Sequence, residues 1–231
     1  MSQHQSCSTL SRTIWDDHQQ FYALDNIGQL ALGLGVGAFY ANTSFDTEIQ
    51  NLYHDYIRSS ATDQISKVAK QFGNGKITVP LYLATASMIF IFPRNKLMNK
   101  ISDWGQECSR ALILGAPLVL GLQLGTGASR PYENNGSKWH PFKDNNGVSG
   151  HCFMGAVPFL VAARHTNLQL IKIPLYLGST LTGLSRINDN QHYFSQAFLG
   201  WWIAWLATNS IKSTAIHFVP STSGVSILLA L

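Results

Sequence analysis

The stretch Ala111–Pro131, ALILGAPLVLGLQLGTGASRP, carries no charge until Arg130 and then ends on an Arg-Pro pair. An uncharged, largely apolar run of roughly 20 residues is long enough for a helix to cross a hydrocarbon core. The proline just beyond it is a helix-stop signal. Five further apolar segments lie around this one: Asn26–Ala41, Ile77–Pro93, Cys152–Ala163, Ile173–Ser185 and Tyr193–Ile211. Asn26–Ala41 holds Gly28, Gly33, Gly35 and Gly37, which permit close helix contact; a buried core helix is its alternative reading. Cys152–Ala163 and Ile173–Ser185 are short for a span and need flanking residues or tilt against neighbours. The last segment includes Trp201, Trp202 and Trp205, aromatic residues of the kind enriched at membrane interfaces.

Residues Glu48–Phe72 read differently. Leu52, Tyr56, Ile65, Val68, Ala69 and Phe72 form a partial helical stripe, while Asp55, Arg58, Asp63, Lys67 and Lys70 supply polar faces. This pattern predicts an amphipathic helix, lying in an interface or solvated on a surface. The expected architecture is all-α, a six-helix membrane bundle with an additional amphipathic helix after the first apolar segment, forming one domain over residues 1–231.

Composition agrees with a membrane setting. Only 12% of the 231 residues are charged, about half the share of an average soluble domain. The net charge of +4 fits an anionic substrate or an anionic lipid surface. The basic residues form no run interleaved with aromatics, which argues against nucleic acid. The three cysteines, Cys7, Cys108 and Cys152, include no CxxC pair and read as free thiols. The polar first 20 residues do not resemble a cleavable secretory signal. Arg94, Lys96, Lys100 and Arg110 between the second and third segments favour the cytoplasmic side for that connection. The expected protein is therefore integral to the membrane, with Arg130–His151 and Arg186–His192 facing away from the cytoplasm.

Three short blocks sit where apolar segments meet loops, and alternating topology puts all three on one side. They are GASRPYE with Arg130, GVSGHCF with Ser149, Gly150 and His151, and LSRINDNQHYFSQ with Arg186 and His192. Two arginines can grip phosphate oxygens bidentately with a charge that does not vary with pH. Ser149 and the backbone at Gly150 would lie at a helix N-terminus, where free N–H groups favour an anion. Two histidines suit phosphoryl transfer, one attacking phosphorus and the other protonating the departing oxygen. If the arginines stabilise the transition-state charge, no metal or other cofactor is required.

The order Arg-Pro, Ser-Gly-His, then Ser-Arg-five residues-His resembles the signature of the type 2 phosphatidic acid phosphatase superfamily, which also includes bacterial acid phosphatases and vanadium haloperoxidases. The resemblance implies a phosphohistidine formed on His192, with His151 as general acid. It implies that Arg130, Ser149, Gly150 and Arg186 hold phosphate oxygens. Three positions depart from the pattern. The family's lysine falls on Gln123, its proline before Ser-Gly-His on Val148, and its aspartate after the nucleophile on Gln196. Gln123 brings a donor without charge, and Lys138 or Lys143 is a candidate for the missing cation. Gln196 can accept from the imidazole but cannot offset positive charge on it; Asp189 is a candidate compensating carboxylate.

Three functions follow from these residues. A lipid phosphatase would act on a phosphate monoester or pyrophosphate. A phosphotransferase would pass the same phosphoryl group to a hydroxyl. A non-catalytic binder of anions or lipid headgroups would keep the arginines and Ser149 while tolerating Gln123 and Gln196. The oligomeric state has no signature in the sequence.

Overall fold

The structure is a computed structural model, which describes residues 2–212, 215–221 and 224–230, with side chains described over 11–212. All six apolar segments are helical, but among the described residues the chain forms ten α-helices. They are α1 (Ser2–Phe21), α2 (Leu24–Ala41), α3 (Phe45–Leu52), α4 (Ser60–Ala69), α5 (Gly75–Ala86), α6 (Met88–Ile91), α7 (Lys96–Thr126), α8 (Gly150–Arg164), α9 (Gln169–Asn188) and α10 (Phe194–Ser210). Up to residue 212 the regular elements are helices; Ala215–Ser221 and Gly224–Ala230 then pair as an antiparallel hairpin. One stretch, beginning with α7, is long and apolar enough to cross a membrane by length and composition.

The core is the packing of α7, α8, α9 and α10, with α2 against α10 and α5 against α7. Phe153, Val157 and Leu160 of α8 meet Leu199, Ile203 and Leu206 of α10 in one fully buried cluster. Helix α10 lies close to α8 because Gly200 has no side chain. A Cβ there would sit 2.3 Å from the backbone oxygen of Ser149. This contact fixes the start of α8 against the middle of the bundle.

Two expectations change at this level. Glu48–Phe72 is not one helix: α3 gives way to a π-helical turn over Tyr53–Ile57, and α4 to a 3-10 turn over Lys70–Gly73. The break between them falls at Ser59, whose side chain accepts from Thr62 N–H in a capping box and starts α4 afresh. Gln50, Tyr53, His54, Asp63, Ser66 and Lys70 bind the end of α9 and the turn after it, whereas Asp55, Arg58 and Lys67 stay exposed. Second, Arg110 is not a loop charge. It sits inside α7 and makes a bidentate pair with Asp17 of α1, both hydrogen bonds 2.7 Å and both side chains buried. That leaves Arg94, Lys96 and Lys100 for any orientation rule.

Candidate functional site

Helix α7 ends at Gly127, which adopts φ +59° and donates its N–H to Gln123 O at 3.1 Å. Only glycine suits this place. The left-handed conformation disfavours a side chain, and a Cβ would lie 2.0 Å from the carbonyl oxygen of His140. The turn throws the chain sideways, so that Arg130 emerges over the bundle end. Its guanidinium is held from two sides, by Nε donating to Asn146 Oδ1 at 2.7 Å and Nη1 to Gln191 Oε1 at 3.3 Å. The returning loop is fixed by Asp144, which accepts from Ser129 Oγ at 2.6 Å and from Asn146 Nδ2 at 3.1 Å.

Ser149 caps α8. Its Oγ accepts from Cys152 N–H at 3.3 Å, and its own N–H donates to the carbonyl of Gln196 at 2.9 Å. The amides of Gly150 and His151, in the first turn, have no intrahelical acceptor. The His151 side chain is exposed. Gln123 lies beside this turn and donates from Nε2 to Val148 O at 3.0 Å. This amide thus holds the loop that presents Ser149.

Arg186 is in the last turn of α9, with only 9% of its surface exposed, and its Nε has no hydrogen-bond partner among the described residues. An unpaired buried guanidinium N–H is costly, which makes this an anion-seeking position. The carbonyl of Arg186 accepts from the N–H groups of Gln191 and His192, so the same turn that carries the arginine fixes the histidine backbone.

His192 is buried and bonded through Nδ1 to Gln196 Oε1 at 2.8 Å. The orientation of the Gln196 amide follows from its other partners. Nε2 donates to Ser129 O at 2.7 Å, and Oε1 accepts from Tyr193 N–H at 3.2 Å. Rotating the amide would set oxygen against carbonyl and N–H against N–H. Oε1 therefore faces the ring, Nδ1 carries the proton, and Nε2 keeps its lone pair. Burial, opposed by the Gln196 bond and reinforced by the charges of Arg130, Arg186 and His151, lowers the His192 pKa to about 3. Hydrogen bonds tie the blocks to this imidazole: Arg130 binds Gln191 beside it, Ser149 N–H binds Gln196 O, and Arg186 O binds His192 N–H. The bundle end thus brings together Arg130, Ser149, Gly150, His151, Arg186, His192 and Gln196.

The candidate substitutes for the missing charges do not join them. Asp189 accepts from Ser66 Oγ at 2.7 Å and pairs with Lys70 at 3.7 Å and Arg186 at 4.0 Å; its bonds run to these groups and not to His192. Neither Lys138 nor Lys143 has a described side-chain hydrogen bond or ion pair with the site. The cation that does approach is Lys70, from the segment after α4.

Residues 126–216 match the PAP2 superfamily model. This segment is similar to the PAP2 superfamily. The matched residues hold Arg130, the Ser149–His151 turn, Arg186 and His192, while Gln123 lies just before them. Similarity to the PAP2 superfamily implies phosphatase-type activity in general terms. No curated protein and no solved structure matches the chain.

Sequence reasoning missed the residues that hold this site in place. Asn146 and Gln191 carry no motif, yet they orient Arg130. Asp46, just before the predicted amphipathic segment, and Gln50, within it, bind Ser195 N–H and the Ile187 and Asn190 oxygens respectively. The one available signal was the density of amide and carboxylate side chains in DTEIQN and RINDNQ, which is high for surfaces meant to meet lipid.

Proposed function

We propose that this protein is a membrane phosphatase that cleaves a lipid phosphate monoester or pyrophosphate through a phosphohistidine on His192. The observation that carries this is the His192–Gln196–Ser129 chain of hydrogen bonds. It holds the proton on Nδ1 and leaves Nε2 as a neutral nucleophile. Nε2 attacks phosphorus, the P–O ester bond breaks, and the departing oxygen takes a proton from His151. Water then attacks the phosphohistidine, losing its proton to His151, and free phosphate leaves. Arg130 and the unpaired Nε of Arg186 stabilise the negative charge on the phosphoryl oxygens, with the amides at the start of α8.

Membrane embedding is supported by the large apolar residues exposed around the helices, among them Leu32, Phe39, Leu83, Leu120, Ile173 and Leu177. A surface of that extent is rare on a soluble monomer. The test is phosphate release by detergent-purified protein from lipid phosphates and pyrophosphates, beside His192→Ala. Release by the unmodified protein alone supports the hydrolase. Phosphate-analogue binding with no release by either protein replaces it with a non-catalytic binder, and transfer to an added alcohol without release to water makes it a phosphotransferase.

A further inference from the structure

An apolar groove of about 180 Å³ runs between α9 and α10, with Gly183, Leu184 and Ile187 on one wall and Phe194, Phe198 and Trp201 on the other. The two helices run in opposite directions here, so the wall residues pair in sequence. Ile187 stands with Phe194 at the upper end. Gly183 stands with Ala197 at mid-depth, where a Cβ on the glycine would be 3.8 Å from that of Ala197. At the lower end Trp201 Nε1 donates to Ser179 Oγ at 2.8 Å and closes the floor. Eight residues of helix separate floor from rim, a depth of about 12 Å.

The polar groups on these walls are already satisfied. Ser179 Oγ donates to Tyr176 O at 2.6 Å, and Thr180 Oγ1 to Leu177 O at 2.8 Å. A ligand in the groove therefore meets hydrocarbon surface. The rim adjoins the phosphate site on three sides. Ile187 follows Arg186, Phe194 lies two residues beyond His192, and Cys152, also on the wall, follows His151. An arginine-lined anion site beside an apolar groove is complementary to an amphiphile with an anionic head.

We infer that this groove holds the hydrocarbon chain of the substrate, so that the protein selects long-chain phosphates by the contact between their first methylenes and the α9–α10 walls. This rests on the phosphatase reading for the position of the head. Each buried methylene tightens binding about fourfold, so a chain that fills the groove binds far more tightly than one that ends at the rim. Gly183 is what leaves mid-depth open. Its Cβ position makes only ordinary contacts, so a side chain there narrows the groove without pushing the helices apart.

The test measures binding of butylphosphonate and decylphosphonate to the detergent-purified full chain, by calorimetry and tryptophan fluorescence, with Gly183→Ala, Gly183→Leu and Gly121→Leu. Gly121 has no atom within 4 Å of its Cβ position and controls for added bulk elsewhere. Partition of the longer chain into micelles is common to all four proteins and cancels between them. The expected result is a decyl-over-butyl preference that falls at least tenfold in Gly183→Leu, falls partway in Gly183→Ala, and is unchanged in Gly121→Leu. The partial effect in the alanine variant is decisive if the leucine variant fails to fold. An equal preference in all the folded proteins overturns the groove. Phosphate release, measured in parallel, separates the two readings. Turnover with a chain-blind preference removes the groove and keeps the phosphatase, whereas an intact, Gly183-dependent preference without turnover removes the phosphatase and keeps the groove.

Discussion

Gln196 Oε1 accepts the Nδ1–H of His192 at 2.8 Å while Gln196 Nε2 donates to the carbonyl of Ser129 at 2.7 Å, so one buried amide orients the imidazole and is itself oriented by the backbone. A carboxylate of the same length would place an oxygen against the Ser129 carbonyl. The pocket is therefore built for an amide, whose Nε2 uses an acceptor that a carboxylate could not.

Gln196→Leu removes the group that selects the Nδ1–H tautomer. Turnover is expected to fall by at least 10²-fold, toward the ~10⁴ that loss of tautomer control costs in a serine protease triad. Gln196→Glu is expected to destabilise the fold by about 1–3 kcal/mol, because it leaves Ser129 O without its donor and opposes it with like partial charge. Steady-state kinetics and thermal unfolding of the two variants check this. A fully active Gln196→Leu would show that the bond is dispensable.

Much of the site was legible because phosphate chemistry uses few residue types in a fixed order. Arg130, Ser149, His151, Arg186 and His192 each stand beside a helix end that the apolar pattern had already located. What holds them was not legible. Asn146, Gln191 and Ser129 act through contacts between residues far apart in sequence, and no local pattern encodes such pairings. The fold divides in the same way. Apolar runs gave the helices α7 to α10, since uncharged length is a local property. Glu48–Phe72 failed because its stripe fits a helix well enough to hide the Ser59 cap. The polar N-terminal α1 failed because it carries no apolar run, although its Asp17 anchors Arg110.

The depressed pKa of His192 has a consequence for stability. In the folded protein the ring protonates only near pH 3, whereas an unfolded histidine does so near 6.5. Between those values the unfolded chain binds the extra proton, so stability is complete above about pH 6.5 and is lost as the pH falls. His192→Asn should flatten this dependence. Denaturant unfolding at pH 4.5 and 7.5 is expected to give a smaller difference for the variant than for the parent. Phosphate should reduce the parent's loss, because an anion beside the ring favours its protonated form. Equal slopes for both proteins would mean that other groups govern the acid limb.

Lys70 and Arg186 share Asp189, at 3.7 and 4.0 Å. Removing Lys70 leaves Arg186 as the cation paired with this carboxylate and draws the guanidinium away from phosphate. Exposed pairs of this kind contribute up to about 1 kcal/mol. Lys70→Gln is therefore expected to raise KM about two- to fivefold with little change in kcat, and Asp189→Asn to restore it in the double variant. A kcat defect without a KM change would place Lys70 in the chemical step instead.

Gln123 performs a structural task, donating to Val148 O at 3.0 Å beside the Gly150 amide. The Cβ position of Gly150 is 3.5 Å from this Nε2, so an ammonium on a slightly longer stem would reach the phosphate side of the turn while still able to donate to Val148. Gln123→Lys is expected to tighten inhibition by inorganic phosphate about three- to tenfold, as an added charge at a partly screened site should. Gln123→Ala is expected instead to cost about 1 kcal/mol of stability, since it strips a carbonyl of its partner. The two variants separate charge from scaffold. If Gln123→Lys leaves phosphate inhibition unchanged while Gln123→Ala lowers the melting temperature, the residue acts only on the loop that presents Ser149, and the site's charge comes from Arg130 and Arg186 alone.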